Sequence, residues 1–252
     1  MKRLDEKQKK LIKQLTMKSC SINKISNELK TSKSVVYYCY KKFFGKRLKE
    51  IQINDKLEED IGEIVGAFAG DGNFYLDKNY RYRIRFSFSG NEIKYAKNIS
   101  ETFKKIYEKP CRIYNYQNVT IVDIYGKKIS DHIKSFLTWD KNKTSTVRLT
   151  KSPSFHSLDF LKGFCRGLFD SDGWTTKNNL MISCISVRLM KNLSESLKMH
   201  GISHLNTKWK GKDEINPRIA IFLDKINTIK YFKIIGTSNP KRKILLPMGI
   251  SG

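Results

Sequence analysis

Asp71 and Asp172 each close one copy of a repeated segment. Gly62 to Gly72 reads GEIVGAFAGDG and Gly163 to Gly173 reads GFCRGLFDSDG, and the same offset of 101 residues relates Gly66 to Gly167 and Phe68 to Phe169. An acid in the last turn of a helix meets the negative end of the helix dipole, so something positive must offset it. Two such acids brought side by side also repel each other. Bound divalent cations relieve both problems, and hard carboxylate oxygens facing phosphate point to Mg²⁺.

The elements that would position these acids carry their own signal. Gly62, Gly66 and Gly70 stand four apart, as do Gly163, Gly167 and Ser171, which puts each trio on one stripe of a helix. A helix-interior glycine costs about 1 kcal/mol against alanine. Six small residues in register therefore need a reason, and close backbone approach of two helices supplies it. An acidic run, Glu58, Glu59, Asp60 and Glu63, opens the first of these helices, where it complements the dipole and needs no chemical role.

The repetition continues beyond the motif. Lys97 to Phe103 (KNISETF) matches Lys191 to Leu197 (KNLSESL), and Ile133, Lys134 and Phe136 match Ile229, Lys230 and Phe232. Each copy reads as helix, two strands, helix, two strands, helix. Tyr80 to Phe88 alternates strictly, with Arg81, Arg83 and Arg85 on one face and Tyr82, Ile84 and Phe86 on the other. Lys208, Lys210 and Lys212 alternate around Trp209 in the second copy. Basic strand faces in both halves predict a nucleic-acid surface.

Charge agrees with that partner. The 252 residues hold 49 Lys and Arg against 24 Asp and Glu, a net charge of +25, so the natural ligand is a polyanion. Cys20, Cys39, Cys111, Cys165 and Cys184 show no CxxC spacing and no neighbouring histidine, which argues against a thiolate zinc site and a disulfide framework. No cleaved signal and no apolar run of membrane-spanning length is evident, so an intracellular protein with no membrane partner is expected.

Residues 1–50 carry 15 Lys and Arg against 4 Asp and Glu and read as a small all-α domain of helix-turn-helix pattern. Leu4, Leu11, Ile12 and Leu15 define a first helix, Ser21 caps a second with Ile22, Ile25 and Leu29, and a third begins at Ser32. In that arrangement Ser32, Lys33, Ser34 and Tyr37 face base edges, with Lys41 and Lys42 on phosphates. Gly45 to Lys56 reads as a linker or helix extension.

The segments IVGAFAGDG from Ile64 and CRGLFDSDG from Cys165, with their spacing and intervening strands, resemble the two signature helices of the LAGLIDADG homing endonucleases in single-chain form. The resemblance covers roughly residues 55 to 250. It implies an α+β fold of two pseudo-symmetric αββαββα repeats, 51–150 and 151–252, forming a DNA-binding saddle beyond the helix-turn-helix domain. It implies a monomer that hydrolyses both strands of a long double-stranded DNA target at a specific site. Asp71 and Asp172 would then be the catalytic metal ligands, with the carbonyls of Gly70 and Ser171 completing the coordination of Mg²⁺, or of Mn²⁺ in its place. A lysine near the metals is also implied, with Lys127 or Lys128 and Lys225 in the corresponding region. Lys241 and Arg242, in the stretch NPKRK, would contact phosphate.

One departure is that the sixth motif position, usually Asp, is Ala69 in the first copy and Asp170 in the second. It is not a metal ligand, so asymmetry is expected rather than loss of activity. Two alternatives share the same resemblance. One is a catalytically inactive DNA-binding transcription regulator, although such proteins usually erode the motif acids. The other is an RNA maturase with intron RNA as partner. Residues 248–252 lack the terminal His and Asn of protein splicing, so an intron-encoded or free-standing protein is expected.

Overall fold

The computed structural model describes residues 4–18, 20–44, 51–76, 82–176, 178–209 and 217–243. Arg81, Lys210 and Lys212 lie outside them. The chain divides into two compact units, Met1–Glu50 and Ile51–Gly252.

The first unit holds α1 (Glu6–Met17), α2 (Ile22–Glu28) and α3 (Lys33–Phe44). Asp5 and Gln8 form a capping box at the start of α1, and Ser21 Oγ accepts from Lys24 N at 3.2 Å to cap α2. Both devices satisfy N–H groups that a helix start leaves unpaired. Ile12, Ile25, Val36 and Cys39 form its small buried core.

The second unit begins with α4 (Glu58–Asp71), β1 (Gly72–Leu76), β2 (Tyr82–Ser89), α5 (Ile93–Tyr107), β3 (Arg112–Tyr116), β4 (Val119–Tyr125) and α6 (Lys127–Phe136). A short β5 (Leu137–Thr138), α7 (Lys143–Thr146) and β6 (Arg148–Leu149) follow. The pattern then recurs as α8 (Leu158–Asp172), β7 (Gly173–Thr175), β8 (Leu180–Cys184), α9 (Val187–Met199), β9 (Leu205–Trp209), β10 (Arg218–Leu223) and α10 (Lys225–Ile234), ending in α11 (Pro240–Lys243). The fold is α+β, with each copy in αββαββα order as expected. Each builds an antiparallel sheet, in the orders β1-β2-β4-β3 and β7-β8-β10-β9.

The sheets turn one face to a shared core. Ile84, Phe86 and Phe88 of β2 are buried while Ser87 and Ser89 are exposed, the alternation a half-buried strand requires. In the second sheet Leu180, Ile182, Ile221 and Leu223 are fully buried. One apolar cluster runs through both halves and includes the buried Phe68 and Phe169.

The two signature helices, α4 and α8, run side by side in the same direction. A Cβ placed on Gly62 would stand 2.9 Å from Phe164 N, and one on Gly66 2.8 Å from Leu168 N. Across the pair, Gly163 would meet Glu63 N at 2.7 Å and Gly167 would meet Ala67 N at 2.6 Å. Each glycine thus faces backbone of the partner helix, and the contacts repeat under the 101-residue offset. The stripe is a backbone-to-backbone seam.

Charge locks the register of that seam. Lys162 Nζ donates to Glu59 Oε2 at 3.0 Å and Arg166 Nη1 to Glu63 Oε2 at 3.1 Å, with Arg166 Nη2 also on Glu59. The acidic run is therefore more than a dipole complement, because two of its members pair across the interface. Gly66→Ala and Gly163→Ala are each expected to destabilise the protein by about 3 kcal/mol or more, since rigid backbone has nowhere to retreat. Urea unfolding measures this; an unchanged midpoint would show that the helices separate at no cost.

Candidate metal and nucleic-acid site

The helix seam delivers Asp71 and Asp172 to one place. A Cβ on Gly70 would lie 3.0 Å from Asp172 Oδ2, so the second carboxylate sits against the last turn of the first helix. Burial pushes the Asp71 carboxyl up to about 7, and Asp172 and Glu92 push the same way against Lys143 and Arg242. Burial also raises Asp172, opposed by Lys143, Arg218 and Arg242.

The positive charge that a helix-end acid demands is present within the chain. Lys143 Nζ, on α7, donates to the carbonyls of Phe68, Ala69 and Gly70 at 2.6, 2.8 and 3.2 Å. It therefore caps the C-terminus of α4 and neighbours both acids. Burial lowers its ammonium to about 8 despite the pull of Asp172 and Asp71. Arg242, on α11, acts on both acids, and its buried Nε makes no hydrogen bond among the described residues.

The lysines expected from sequence stand apart from these two cations. Lys127 begins α6, with Nζ 5.9 Å from the Tyr82 ring centre, and Lys225 begins α10. Neither they nor Lys128 are among the charges acting on Asp71 and Asp172. Lys143 lies between the repeats, where no internal match marks it. Its one local signal is Trp139, four residues earlier, which packs on Phe68 with ring centroids 5.9 Å apart. From sequence Arg242 is expected only as a phosphate contact. Lys241 is exposed beside it.

The sixth motif position follows the expected asymmetry. Asp170 is buried at 2 % exposure and accepts from Ser238 N at 2.8 Å, Asn239 N at 3.2 Å and the Thr237 hydroxyl. It anchors the segment leading to Arg242. At Ala69 no carboxylate is present, and Lys143 binds the backbone carbonyl instead.

A hard cation fits this donor set. Two desolvated carboxylates adjoin, and among the described residues no group of three His, Cys, Asp or Glu could enclose a metal. Remaining positions would fall to carbonyls, water and phosphate oxygens, the mixture Mg²⁺ favours. The Gly70 carbonyl is shared with Lys143, and Ser171 spends its hydroxyl on Gly167 and Leu168 carbonyls at 3.1 and 3.0 Å, leaving only its backbone carbonyl as the expected ligand.

On the first sheet, the outward row holds two of the expected arginines. Arg83 stacks over Tyr75 at 4.5 Å, while Arg85 pairs with Asp123 on β4 at 2.8 Å. Lys208 differs from expectation. It pairs with Ile219, and Ile219 shares the core-facing side with Ile221 and Leu223, so Lys208 is an exposed edge-strand residue on the face opposite Thr207. In the first unit Ser32, Lys33, Ser34, Tyr37, Lys41 and Lys42 are all exposed on or beside α3.

The raised Asp71 carboxyl has a pH consequence. Its folded value of about 7 exceeds the ordinary 3.8, so the folded protein holds an extra proton between them and loses stability as pH rises through that window. In chelator, Asp71→Asn is expected to raise the melting temperature at pH 8 and much less at pH 5. Mg²⁺ affinity, read by calorimetry, should fall about tenfold per pH unit below 7 as the cation competes with that proton. A pH-independent affinity would contradict the placement of Asp71.

A family model described as a LAGLIDADG-like domain matches residues 159–236. An uncharacterised protein of Methanocaldococcus jannaschii is 24% identical over 206 residues, covering 79% of this chain and 71% of that protein. The replication factor C small subunit of the same organism is 25% identical over 199 residues, 77% of this chain, which spans only 10% of that protein. Among solved structures, the homing endonuclease I-DmoI in complex with DNA and Ca aligns at a TM-score of 0.57 and 16% identity, covering 75% of this chain and 97% of that one. Full-length DUF199/WhiA from Thermatoga maritima aligns at 0.50 and 19%, covering 75% of this chain and 58% of that one. Residues 159–236 thus resemble a LAGLIDADG-like domain, and three quarters of the chain share the LAGLIDADG fold of I-DmoI.

Proposed function

We propose that the chain is a site-specific DNA endonuclease that hydrolyses both strands of a long duplex target, working as a monomer with Mg²⁺ or, in its place, Mn²⁺. The observation that carries this is the pairing of Asp71 with Asp172 at the end of a glycine seam, flanked by Lys143 and Arg242. The fold it shares with I-DmoI, whose structures include complexes with DNA and Ca or Mn, supports the substrate and the class of cofactor.

Asp71 and Asp172, with the carbonyls of Gly70 and Ser171, would hold the cofactor. When bound, such an ion polarises phosphoryl oxygen and lowers the pKa of water, supplying the nucleophile and stabilising the leaving oxygen. The residues of the chain set the stage for that chemistry. Lys143 and Arg242 face the negative charge that builds on the scissile phosphate, and their partial desolvation strengthens the attraction. The seam fixes the spacing of the acids, and hence of the two cut phosphates.

The outward arginines Arg83 and Arg85 then face DNA, as does Lys241 near the site, while the expected contacts Arg81, Lys210 and Lys212 lie outside the described residues. Residues 1–50 extend the contact as a helix-turn-helix domain, with Ser32, Lys33, Ser34 and Tyr37 toward base edges and Lys41 and Lys42 toward phosphates. The two intact acids favour cutting over the regulator reading, and both readings share duplex DNA as ligand.

Incubation with a randomised duplex library and Mg²⁺ should give defined double-strand cuts that disappear in chelator, in Asp71→Asn and in Asp172→Asn. Lys143→Met should slow single-turnover cleavage about a hundredfold. Specific binding without cutting in Mg²⁺ and Mn²⁺ would replace this reading with that of a regulator, and preference for structured RNA would replace it with a maturase. Removal of residues 1–50 should shorten the nuclease-protection footprint and flatten the salt dependence of binding; an identical footprint would exclude the N-terminal unit from recognition.

A further inference from the structure

The two sheets keep the same register from the motif glycine, so their outward rows can be compared place by place. Gly72 pairs with Phe86 and Asn73 with Arg85, while Gly173 pairs with Ile182 and Trp174 with Met181. Continuing across the strands, Arg85 pairs with Asp123 and Asp123 with Arg112, whereas Met181 pairs with Phe222 and Phe222 with Leu205. The row Asn73, Arg85, Asp123, Arg112 in the first sheet therefore occupies the place of Trp174, Met181, Phe222, Leu205 in the second. A wholly polar row thus corresponds to a wholly apolar one.

The polar row is built for orientation rather than for charge. Arg85 Nε and Nη2 donate to the Asp123 carboxylate at 2.8 and 2.9 Å, and Nη2 donates to Tyr114 Oη at 2.7 Å. Tyr114 in turn donates to Asp123 Oδ2 at 3.1 Å, and Asp123 is only 2 % exposed. A guanidinium cancelled by a buried carboxylate is a poor anchor for phosphate. It is held rigidly, however, and Nη1 has no hydrogen-bond partner among the described residues. Its two N–H groups match guanine, the only base that offers two acceptors, N7 and O6, on its major-groove edge.

The apolar row is exposed where a core residue would be covered. Trp174 is 38% and Leu205 66% accessible, and Met181 and Phe222 are partly so. It is the counterpart of the outward surface that on the first sheet carries Arg83, Arg85 and Arg112, in a chain of net charge +25, which points to the same duplex as its occupant. Apolar side chains read one feature of the major groove, the thymine methyl.

We propose that the two pseudo-symmetric rows read different bases: Arg85, positioned by Asp123 and Tyr114, selects guanine in one half-site, and Trp174, Met181, Phe222 and Leu205 select thymine at the related place in the other. This rests on the reading of the chain as a sequence-specific binder of duplex DNA. The asymmetry of the protein would then be copied into its target.

The full-length protein in chelator is used to select bound sequences from a randomised duplex library, which needs no cleavage. One half-site should show a guanine preference that Arg85→Ala and Asp123→Asn both erase, with no change in the slope of affinity against salt. On the unaltered protein, 7-deazaguanine at that position should weaken binding about tenfold, as should deoxyuridine for thymine at the related position. The base analogues decide the matter even where a variant fails to fold. A selected sequence indifferent to both analogues, or an Arg85→Ala protein that loses one unit of salt slope and no base preference, would overturn the proposal and leave DNA binding standing. Absence of any selected sequence would instead overturn the sequence-specific reading itself.

Discussion

The contact between the backbones of α4 and α8 is the constraint on which the rest depends. Gly62, Gly66, Gly163 and Gly167 each meet peptide atoms of the other helix, and no side chain of any size can enter that seam. Ordinary helix pairs keep side chains between their axes and sit about 8–10 Å apart. Glycine removes that layer, so the groups at the helix ends come together. The pairing of two acids is thus a consequence of how the helices pack.

That packing creates an electrostatic debt at one end and settles it with residues from elsewhere. Asp71 and Asp172 suffer burial, mutual repulsion and an unfavourable dipole. Lys143 answers all three, because its ammonium binds the last carbonyls of α4 while neighbouring both carboxylates. At the other end the signs reverse, and Glu59 and Glu63 receive Lys162 and Arg166. An α4 pairing with another α4 would put Val65 in the place of Arg166 and Ile61 in that of Lys162, leaving Glu59 and Glu63 without these partners. The charges therefore select the joining of unlike repeats.

Divergence of the two copies falls where packing permits it. The core-facing positions of the inner strands β2 and β8 stay apolar in both copies, because a polar group there would lose its water without gaining a partner. The outward positions are free of that demand. Arg85 and Asp123 in one copy correspond to Met181 and Phe222 in the other, and Ala69 corresponds to Asp170. Asp170 uses its carboxylate to hold Thr237, Ser238 and Asn239, and so fixes the approach of Arg242.

Much of the architecture was legible in the residues because its causes are local. The period of two in Tyr82 to Phe88, the four-residue spacing of glycines and the matched acids each follow from short stretches of chain, and the fold keeps all three. Repetition added long-range information, since a segment used twice announces a two-fold arrangement. The N-terminal helices were visible for the same reason, in the spacing of Leu4, Leu11, Ile12 and Leu15 and the cap at Ser21. What the sequence could not supply were partners separated by many residues with no repeat to link them. Lys143 reaches the acids only because the β5 to β6 segment folds back against Phe68, and Arg85 is restrained only because β4 lies beside β2. Lys208 shows the converse, since alternation gave its period while the pairing with Ile219 decided its face. Local periodicity determines which residues share a side, whereas strand register and helix packing decide what that side meets, because those depend on contacts that close only when the whole chain has folded.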